Sequence, residues 1–174
     1  FTLQLKPKSN ITFNSGDLLA VYPKAGEAER SYSIGKVDNL VTLSIKRHEK
    51  GVASNLLFDL SEGHELKAKI KVNRDFHFPN YAKSVILIAN GTGIAPFLGM
   101  VNQNVNKVET HLFWGGRNED SLSLYSEIID KAIAEDQLSS FHIAYSKQGQ
   151  KRYVQNLVEE HKDLFCEVLS KDGV

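Results

Sequence analysis

The chain has 174 residues, 41% of them hydrophobic and 24% charged, with 21 basic and 21 acidic side chains. That is the composition of a soluble globular protein, and a net charge of zero gives no basic surplus for general nucleic-acid binding. The single cysteine, Cys166, excludes an internal disulfide and a cysteine-based metal site, and no apolar run is long enough to span a membrane.

The six histidines, His48, His64, His77, His111, His142 and His161, are scattered without an HxxxH or HExxH pair, which argues against zinc. No signal peptide and no starting methionine are present, so Phe1 reads as the cut end of a longer chain.

Phe1 to Lys6 alternates apolar and polar residues, as a half-buried strand does. Ser15-Gly16-Asp17 is a turn, and the strand Leu18 to Tyr22 follows and stops at Pro23. Lys24 to Glu29 is a short charged loop. Ser31 to Ile34 and Leu40 to Lys46 read as strands, with Val37-Asp38-Asn39 as the turn between them. The period then changes. Ser54 is placed as a helix N-cap, and Leu56, Leu57 and Leu60 form one face of a short helix. Glu65 to Val72 alternates strictly and is a further strand. Short strands separated by turns, with one short helix, predict a small antiparallel barrel over residues 1–80. Phe76 to Tyr81 is the expected hinge.

Residues 81–174 change to strand, helix, strand, helix. Val85 to Ala89 is an unbroken apolar run, the signature of a strand buried on both faces of a parallel sheet. Asn90-Gly91-Thr92-Gly93 is a turn with little bulk, and Ile94, Phe97, Leu98 and Val101 recur at helical spacing. Thr110 to Trp114 is the next strand, and Asp120 or Ser121 caps a helix running to about Glu135. Phe141 to Tyr145 is a third strand, followed by helices over Arg152 to His161 and Leu164 to Ser170. Val174 begins another strand. Alternating elements of this kind build a Rossmann-like α/β domain with a parallel sheet covered by helices.

Five clusters could carry chemistry, and each has a plainer reading beside it. Arg30-Ser31-Tyr32-Ser33 offers a guanidinium fork for phosphate, a ring for stacking and a hydroxyl for a ring nitrogen, or is an ordinary polar strand. Gly51-Val52-Ala53-Ser54 suits an anion at a helix start, or is an ordinary cap. Gly91-Thr92-Gly93 with Pro96 makes a Gly-x-Gly-x-x-Pro turn after a buried strand, where a diphosphate could meet backbone N–H groups, or is a structural turn. Ser146 to Gln155, with Lys147, Lys151 and Tyr153, follows the third strand and lies at the ligand-binding edge of such a sheet, or is a solvated basic loop. Trp114-Gly115-Gly116-Arg117 ends the second strand in arginine, which suits a ribose 2′-phosphate better than the acidic residue of a classical NAD site, or is a turn preceding a helix.

In chain order, GDLLAVYP, RSYSI, GVASNLL, NGTGIAPF, FWGGR and SKQGQKRYVQ resemble the motifs of the ferredoxin–NADP⁺ reductase superfamily. Within it the chain looks most similar to the FAD/NADPH module of diflavin reductases of the sulfite reductase flavoprotein type. The resemblance implies FAD and NADPH as cofactors and hydride transfer from one to the other. Electrons would then pass singly to a flavodoxin-like, FMN, iron–sulfur or haem acceptor. It implies that Arg30 binds the FAD pyrophosphate and Tyr32 stacks on the isoalloxazine. Ser33 would bond near the hydride-accepting N5, which makes it the expected catalytic residue. Gly51, Val52, Ala53 and Ser54 would hold FAD phosphates. Gly91, Thr92, Gly93 and Pro96 would line the pyrophosphate and nicotinamide cleft. Arg117, Ser146, Lys147, Lys151, Tyr153 and Gln155 would hold the 2′-phosphate and adenine.

Three departures accompany the match. Only Lys24 to Glu29 separates segments that the diflavin enzymes part with a large helical insertion. Lys147 stands where the family carries an arginine, a point charge in place of a bidentate fork. The family's Cys-Gly strand would begin at Val174, and the first barrel strand is also expected to be missing. Cys166 lies too early to be that cysteine and reads as a packing residue. Two rival functions are an NADH-linked oxygenase-type reductase and a non-catalytic nucleotide-binding module of the same fold. The expected setting is cytoplasmic, including the cytoplasmic face of a longer, membrane-anchored protein.

Overall fold

A computed structural model describes residues 1–24 and 28–174. Residues 25–27, the middle of the expected Lys24–Glu29 loop, lie outside the described residues. Among the described residues, the N-terminal half holds six strands in two antiparallel sheets. One has the order β1 (Thr2–Leu5), β5 (Leu40–Ser44), β4 (Gly35–Val37); the other has β3 (Arg30–Ser33), β2 (Leu18–Val21), β6 (Ala68–Lys71). The inward residues of both sheets meet in one core of Phe13, Leu19, Val21, Ile34, Val41, Leu43, Ile45 and Leu57. Ile34 joins the sheets. Its N–H donates to Asp17 O at 2.9 Å and its carbonyl accepts from Gly16 N at 2.8 Å.

Several boundaries differ from the sequence-based expectation, each for a physical reason. Val37 is a buried strand residue, and the turn is confined to Asp38 and Asn39, both with left-handed backbone (φ 50° and 64°). Two such residues are what a tight two-residue hairpin demands. The β5 strand stops at Ser44 rather than Lys46, and β6 covers only Ala68–Lys71 of the alternating run. Helix α1 spans Val52–Phe58 with Gly51 at the N-cap, so Ser54 is not the cap. The Ser54 hydroxyl instead donates to Gly51 O at 3.3 Å and accepts from His48 N at 3.2 Å, tying the entering loop to the first turn.

The chain leaves β6 through a 3₁₀ turn at Arg74–Phe76. A buried carboxylate organises this passage. Asp17 accepts from Asn14 N and Asn73 N, both at 2.9 Å, and from His77 Nε2 at 2.7 Å. Burial raises the pKa of this carboxyl, but the hydrogen bonds outweigh burial and hold it below its ordinary value. The charged form accepts only, so His77 Nε2 carries the proton of that bond.

The C-terminal half is a parallel sheet in the order β7 (Ser84–Asn90), β8 (Glu109–Gly116), β9 (Ser140–Tyr145). Alternate residues of β8 feed two cores. Leu112 and Trp114 pack with α2 (Ala95–Asn102) and with Ile129 of α4 (Ser126–Ala134). Phe113 packs with Val154 and Leu157 of α5 (Val154–Glu160) and with Leu164 and Phe165 of α6 (Lys162–Ser170). Helices therefore cover both faces, as a parallel sheet requires.

The single helix expected up to Glu135 is two, α3 (Glu119–Ser123) and α4, because Tyr125 leaves helical geometry to bury its ring. The α5 helix starts at Val154 rather than Arg152; Tyr153 precedes it in extended backbone, and its N–H donates to Asn156 Oδ1 at 2.9 Å. Val174 donates to Ser84 O at 3.0 Å and accepts from Ile86 N at 2.7 Å, the pattern of a parallel strand beside β7. Among the described residues, no helix is long and apolar enough to cross a membrane.

Candidate functional site

The carboxyl ends of β7, β8 and β9 bring three of the predicted segments to one edge. After Asn90 the chain turns through Gly91, with φ +54°, into a 3₁₀ turn Gly91–Ile94 and then α2. Gly93 has neither a left-handed backbone nor a packing neighbour, and a Cβ added at Gly91 or Gly93 meets nothing within 4 Å. The absent side chains leave open space in front of the turn, as a bound diphosphate needs. Pro96 falls in the first turn of α2, where helix N–H groups have no partner within the helix, so its missing donor costs nothing there.

Arg117, Ser146 and Lys147 come together because strand pairing runs past the ends of β8 and β9. Ser146 N donates to Gly116 O at 3.0 Å and Lys147 N to Arg117 O at 2.8 Å. The Ser146 hydroxyl also donates to Gly116 O, at 3.2 Å. Lys151 lies with Nζ 5.3 Å from the Tyr153 ring centroid, and its interaction with Tyr153 raises the lysine pKa above the ordinary value. Among the described residues, Arg117, Lys147 and Lys151 make no ion pair. Three uncompensated cations, a hydroxyl and an exposed ring on adjoining loops are a donor set for a phosphate beside a base. Gln155 is exposed on the first turn of α5, next to this group.

The second cluster lies on β3. Tyr32 is half-buried against the N-terminal core, and burial pushes its hydroxyl pKa up, so it stays a neutral donor. Arg30, Ser31 and Ser33 are exposed. Glu29 is engaged by Lys71 and by Tyr22, whose hydroxyl donates to it at 3.0 Å, and the bond from Lys71 is the main reason its carboxyl pKa is lowered. The Arg30 guanidinium is left with two backbone carbonyls, Ala28 O at 3.1 Å and Glu29 O at 3.2 Å, and no carboxylate among the described residues. It is therefore available to an anion. At Gly51 a Cβ would stand 2.4 Å from Ser54 Oγ, so this glycine is needed by packing. Val52 beside it is exposed, while Ala53 and Ser54 are buried.

The two halves of the chain are joined by a backbone contact. A Cβ on Gly35 would stand 2.2 Å from Ala95 O, and one on Gly99 would stand 2.3 Å from Lys36 N. Gly35 lies two residues past Ser33, and Ala95 two past Gly93. The strand β4, which begins two residues after Ser33, and the helix opened by the glycine turn thus touch directly.

Comparison with known proteins bears on this arrangement. Residues 87–172 match the family described as the oxidoreductase NAD-binding domain. The chain is 33% identical over 139 residues to the chloroplastic ferredoxin–NADP reductase leaf isozyme 1 of Oryza sativa subsp. indica, which covers 71% of this chain and 38% of that protein. It is 32% identical over 115 residues to the sulfite reductase (NADPH) flavoprotein alpha-component of Shewanella oneidensis, covering 63% of this chain and 19% of that one. The matched stretch is an NAD-binding domain of the ferredoxin–NADP⁺ reductase superfamily. The chain spans about a fifth to two fifths of the length of these relatives. Among solved structures, the ferredoxin–NADP⁺ reductase from Plasmodium falciparum with 2′P-AMP shares the fold, with a TM-score of 0.77 at 20% identity over 98% of this chain and 75% of that one.

The motifs left three supporting devices unannounced. Trp114 Nε1 donates to Gly91 O at 2.9 Å, and Tyr125 packs edge-on against the indole with centroids 5.6 Å apart. The Tyr125 hydroxyl is 2.6 Å from Ser44 Oγ on β5, a buried bond that spans the two halves. The Gly35–Gly99 contact and the Asp17–His77 bond are the others. One had a signal in the sequence: Gly99 stands inside a helix, where glycine costs about 1 kcal/mol against alanine and so points to a packing need.

Proposed function

We propose that this chain carries the cofactor-binding part of an NADPH-dependent, FAD-containing reductase that delivers electrons singly to an acceptor protein or domain. The observation that carries the reading is the backbone contact at Gly35 and Gly99, which packs the helix opened by the glycine turn against β4, the strand that follows Arg30, Tyr32 and Ser33 in the chain. The supporting chemistry is, among the described residues, an arginine without a carboxylate partner and a half-buried tyrosine on one side, with an open glycine turn and three unpaired cations after the neighbouring strands on the other.

FAD, when bound, supplies a two-electron acceptor that can release electrons one at a time. This chain's residues would do the rest. Arg30 would neutralise the FAD pyrophosphate, with Gly51 to Ser54 presenting the first N–H groups of α1 to its phosphates. Tyr32 would stack on the isoalloxazine. Ser33 would donate a hydrogen bond at flavin N5. Gly91, Thr92, Gly93 and Pro96 would seat the NADPH pyrophosphate and nicotinamide. Arg117, Ser146, Lys147, Lys151, Tyr153 and Gln155 would hold its 2′-phosphate and adenine.

We further infer two domains parting near Asn80, an FAD-binding antiparallel barrel over residues 1–80 and an NADP(H)-binding domain over 81–174. In support, the N-terminal core draws on no residue beyond Ile70, and the two C-terminal cores draw on none before Phe78.

The test is anaerobic mixing of the FAD-loaded, full-length protein with NADPH. The flavin absorbance is expected to bleach; retained colour with FAD still bound overturns the reading. Ser33→Ala is expected to slow flavin reduction by about tenfold or more while changing FAD affinity only a few-fold, since a donor at the reacting nitrogen acts mainly in the transition state. Equal losses in both would remove Ser33 from the catalytic role.

A further inference from the structure

We propose that Trp114 is a positioning residue for the Gly91–Gly93 turn. Its indole N–H holds the Gly91 carbonyl inward, so that the Thr92 N–H faces the diphosphate of the dinucleotide. The inference rests on the reading above that NADPH binds at this turn.

Trp114 is 1% exposed, and its Nε1 donates to Gly91 O at 2.9 Å. A trans peptide points its C=O and the following N–H in opposite directions. Drawing the Gly91 carbonyl into the protein therefore turns the Thr92 N–H outward, onto the exposed face where Thr92 and Gly93 lie. As one of the first N–H groups of a helical turn, it has no partner within that turn. The opposite peptide orientation would strand a buried indole N–H and aim a carbonyl oxygen at an incoming phosphate. Both are unfavourable.

The indole is itself fixed from two sides. A Cβ on Gly116, two residues along the strand on the same face, would stand 2.4 Å from the ring atom Cη2, so the ring occupies the space that glycine leaves. Tyr125 meets the ring edge-on at 5.6 Å, and its hydroxyl is anchored at 2.6 Å to Ser44 Oγ in the N-terminal half. The orientation of the turn is thus set through Trp114 by residues that touch no ligand.

The test compares two ligands on the FAD-loaded protein by titration calorimetry. NADP⁺ reaches the glycine turn through its diphosphate. Adenosine 2′-monophosphate carries the adenine and 2′-phosphate and has no diphosphate. Two variants are used: Trp114→Phe, and Trp114→3-benzothienylalanine, which keeps the indole shape and replaces the donor by sulfur.

Both variants are expected to weaken NADP⁺ about five- to tenfold, the worth of one hydrogen bond, and to change adenosine 2′-monophosphate by less than about twofold. If Trp114→Phe fails to fold, the sulfur isostere decides. Unchanged NADP⁺ affinity in the isostere, or equal weakening of both ligands, overturns the positioning role while the proposed function stands. A wild-type protein that binds neither ligand overturns both.

Discussion

Two glycine-opened helix starts stand on the two sides of this molecule, and they are built in opposite ways. At α1, Gly51 is a packing requirement: a Cβ there would lie 2.4 Å from Ser54 Oγ and 3.0 Å from His48 Cβ. Everything that holds this turn sits within seven residues of it, through Ser54 and the loop from His48. At the second, Gly91 and Gly93 have no neighbour that a Cβ would strike. Their turn is held by Trp114 from the next strand, and Trp114 by Tyr125, which reaches Ser44 across 81 residues of sequence. At α1 the space beside the glycine is taken by its own neighbours. A turn held from behind by distant side chains keeps its front open, and open space lined by backbone N–H groups is what a diphosphate requires.

The largest expected effect comes from breaking the contact that packs α2, the helix behind the open turn, on β4 of the N-terminal half. Gly99→Ala places a Cβ 2.3 Å from Lys36 N, 2.3 Å from Ser15 Oγ and 2.8 Å from Gly35 Cα. Two of the three are backbone atoms, which cannot rotate away. Better helix propensity returns about 1 kcal/mol, but overpacking of this kind is expected to cost a net of roughly 2–3 kcal/mol. Urea denaturation measures it as a lower midpoint. A midpoint equal to or above wild type would mean that the halves are not locked at this point.

What the sequence displayed divides along the same line. Local devices could be read from it: the apolar strand 85–89, although Ile88 is exposed rather than buried, the glycine turn, the alternating strands and the order of the six motifs. Boundaries set by distant partners could not. Tyr125 interrupts an otherwise continuous helical pattern because its ring is wanted against Trp114 and its hydroxyl against Ser44. Asp17 looked like a turn residue, yet it is the buried acceptor that ties the start of β2 to the passage out of β6. Ser54 looked like an N-cap from its residue type and place before an apolar face, but the helix begins two residues earlier and the hydroxyl closes the loop from inside the first turn. Positions of site residues at the carboxyl edge follow from topology, which strand alternation reveals. The supports behind them depend on contacts between residues far apart in the chain, which no periodicity encodes.

A matched pair of substitutions sharpens the comparison at intermediate size. Gly51→Ala is expected to lose about 1–2 kcal/mol of stability, because the new Cβ displaces Ser54 Oγ and presses on His48. Gly93→Ala meets nothing within 4 Å, and its φ is not left-handed. Its stability is expected to stay within about 0.5 kcal/mol of wild type or to rise slightly, since alanine reduces the freedom of the unfolded chain. Its NADP⁺ affinity, however, is expected to fall several-fold, because the methyl group enters the space in front of the turn. Thermal melts with and without NADP⁺ read both quantities. If Gly93→Ala destabilised the free protein as much as Gly51→Ala, the two turns would be built alike.

The smallest expected effect concerns the far end of the same proposed ligand. Lys147 is exposed, and its backbone is fixed by the bond from its N–H to Arg117 O at 2.8 Å, so an arginine there starts from the same place. A guanidinium can grip a phosphate with two parallel hydrogen bonds, where an ammonium acts as a point charge. Lys147→Arg is therefore expected to raise the ratio of kcat/KM for NADPH over NADH by about three- to tenfold, mostly through KM, with little change in kcat. Gly93→Ala should weaken NADPH and NADH by the same factor, because both carry the diphosphate that meets the turn. Lys147→Arg should separate them, because only one carries the 2′-phosphate. If Lys147→Arg instead moved both nucleotides together, the 2′-phosphate would not lie beside residue 147, and the group of Arg117, Ser146 and Lys151 would have to hold it without that residue.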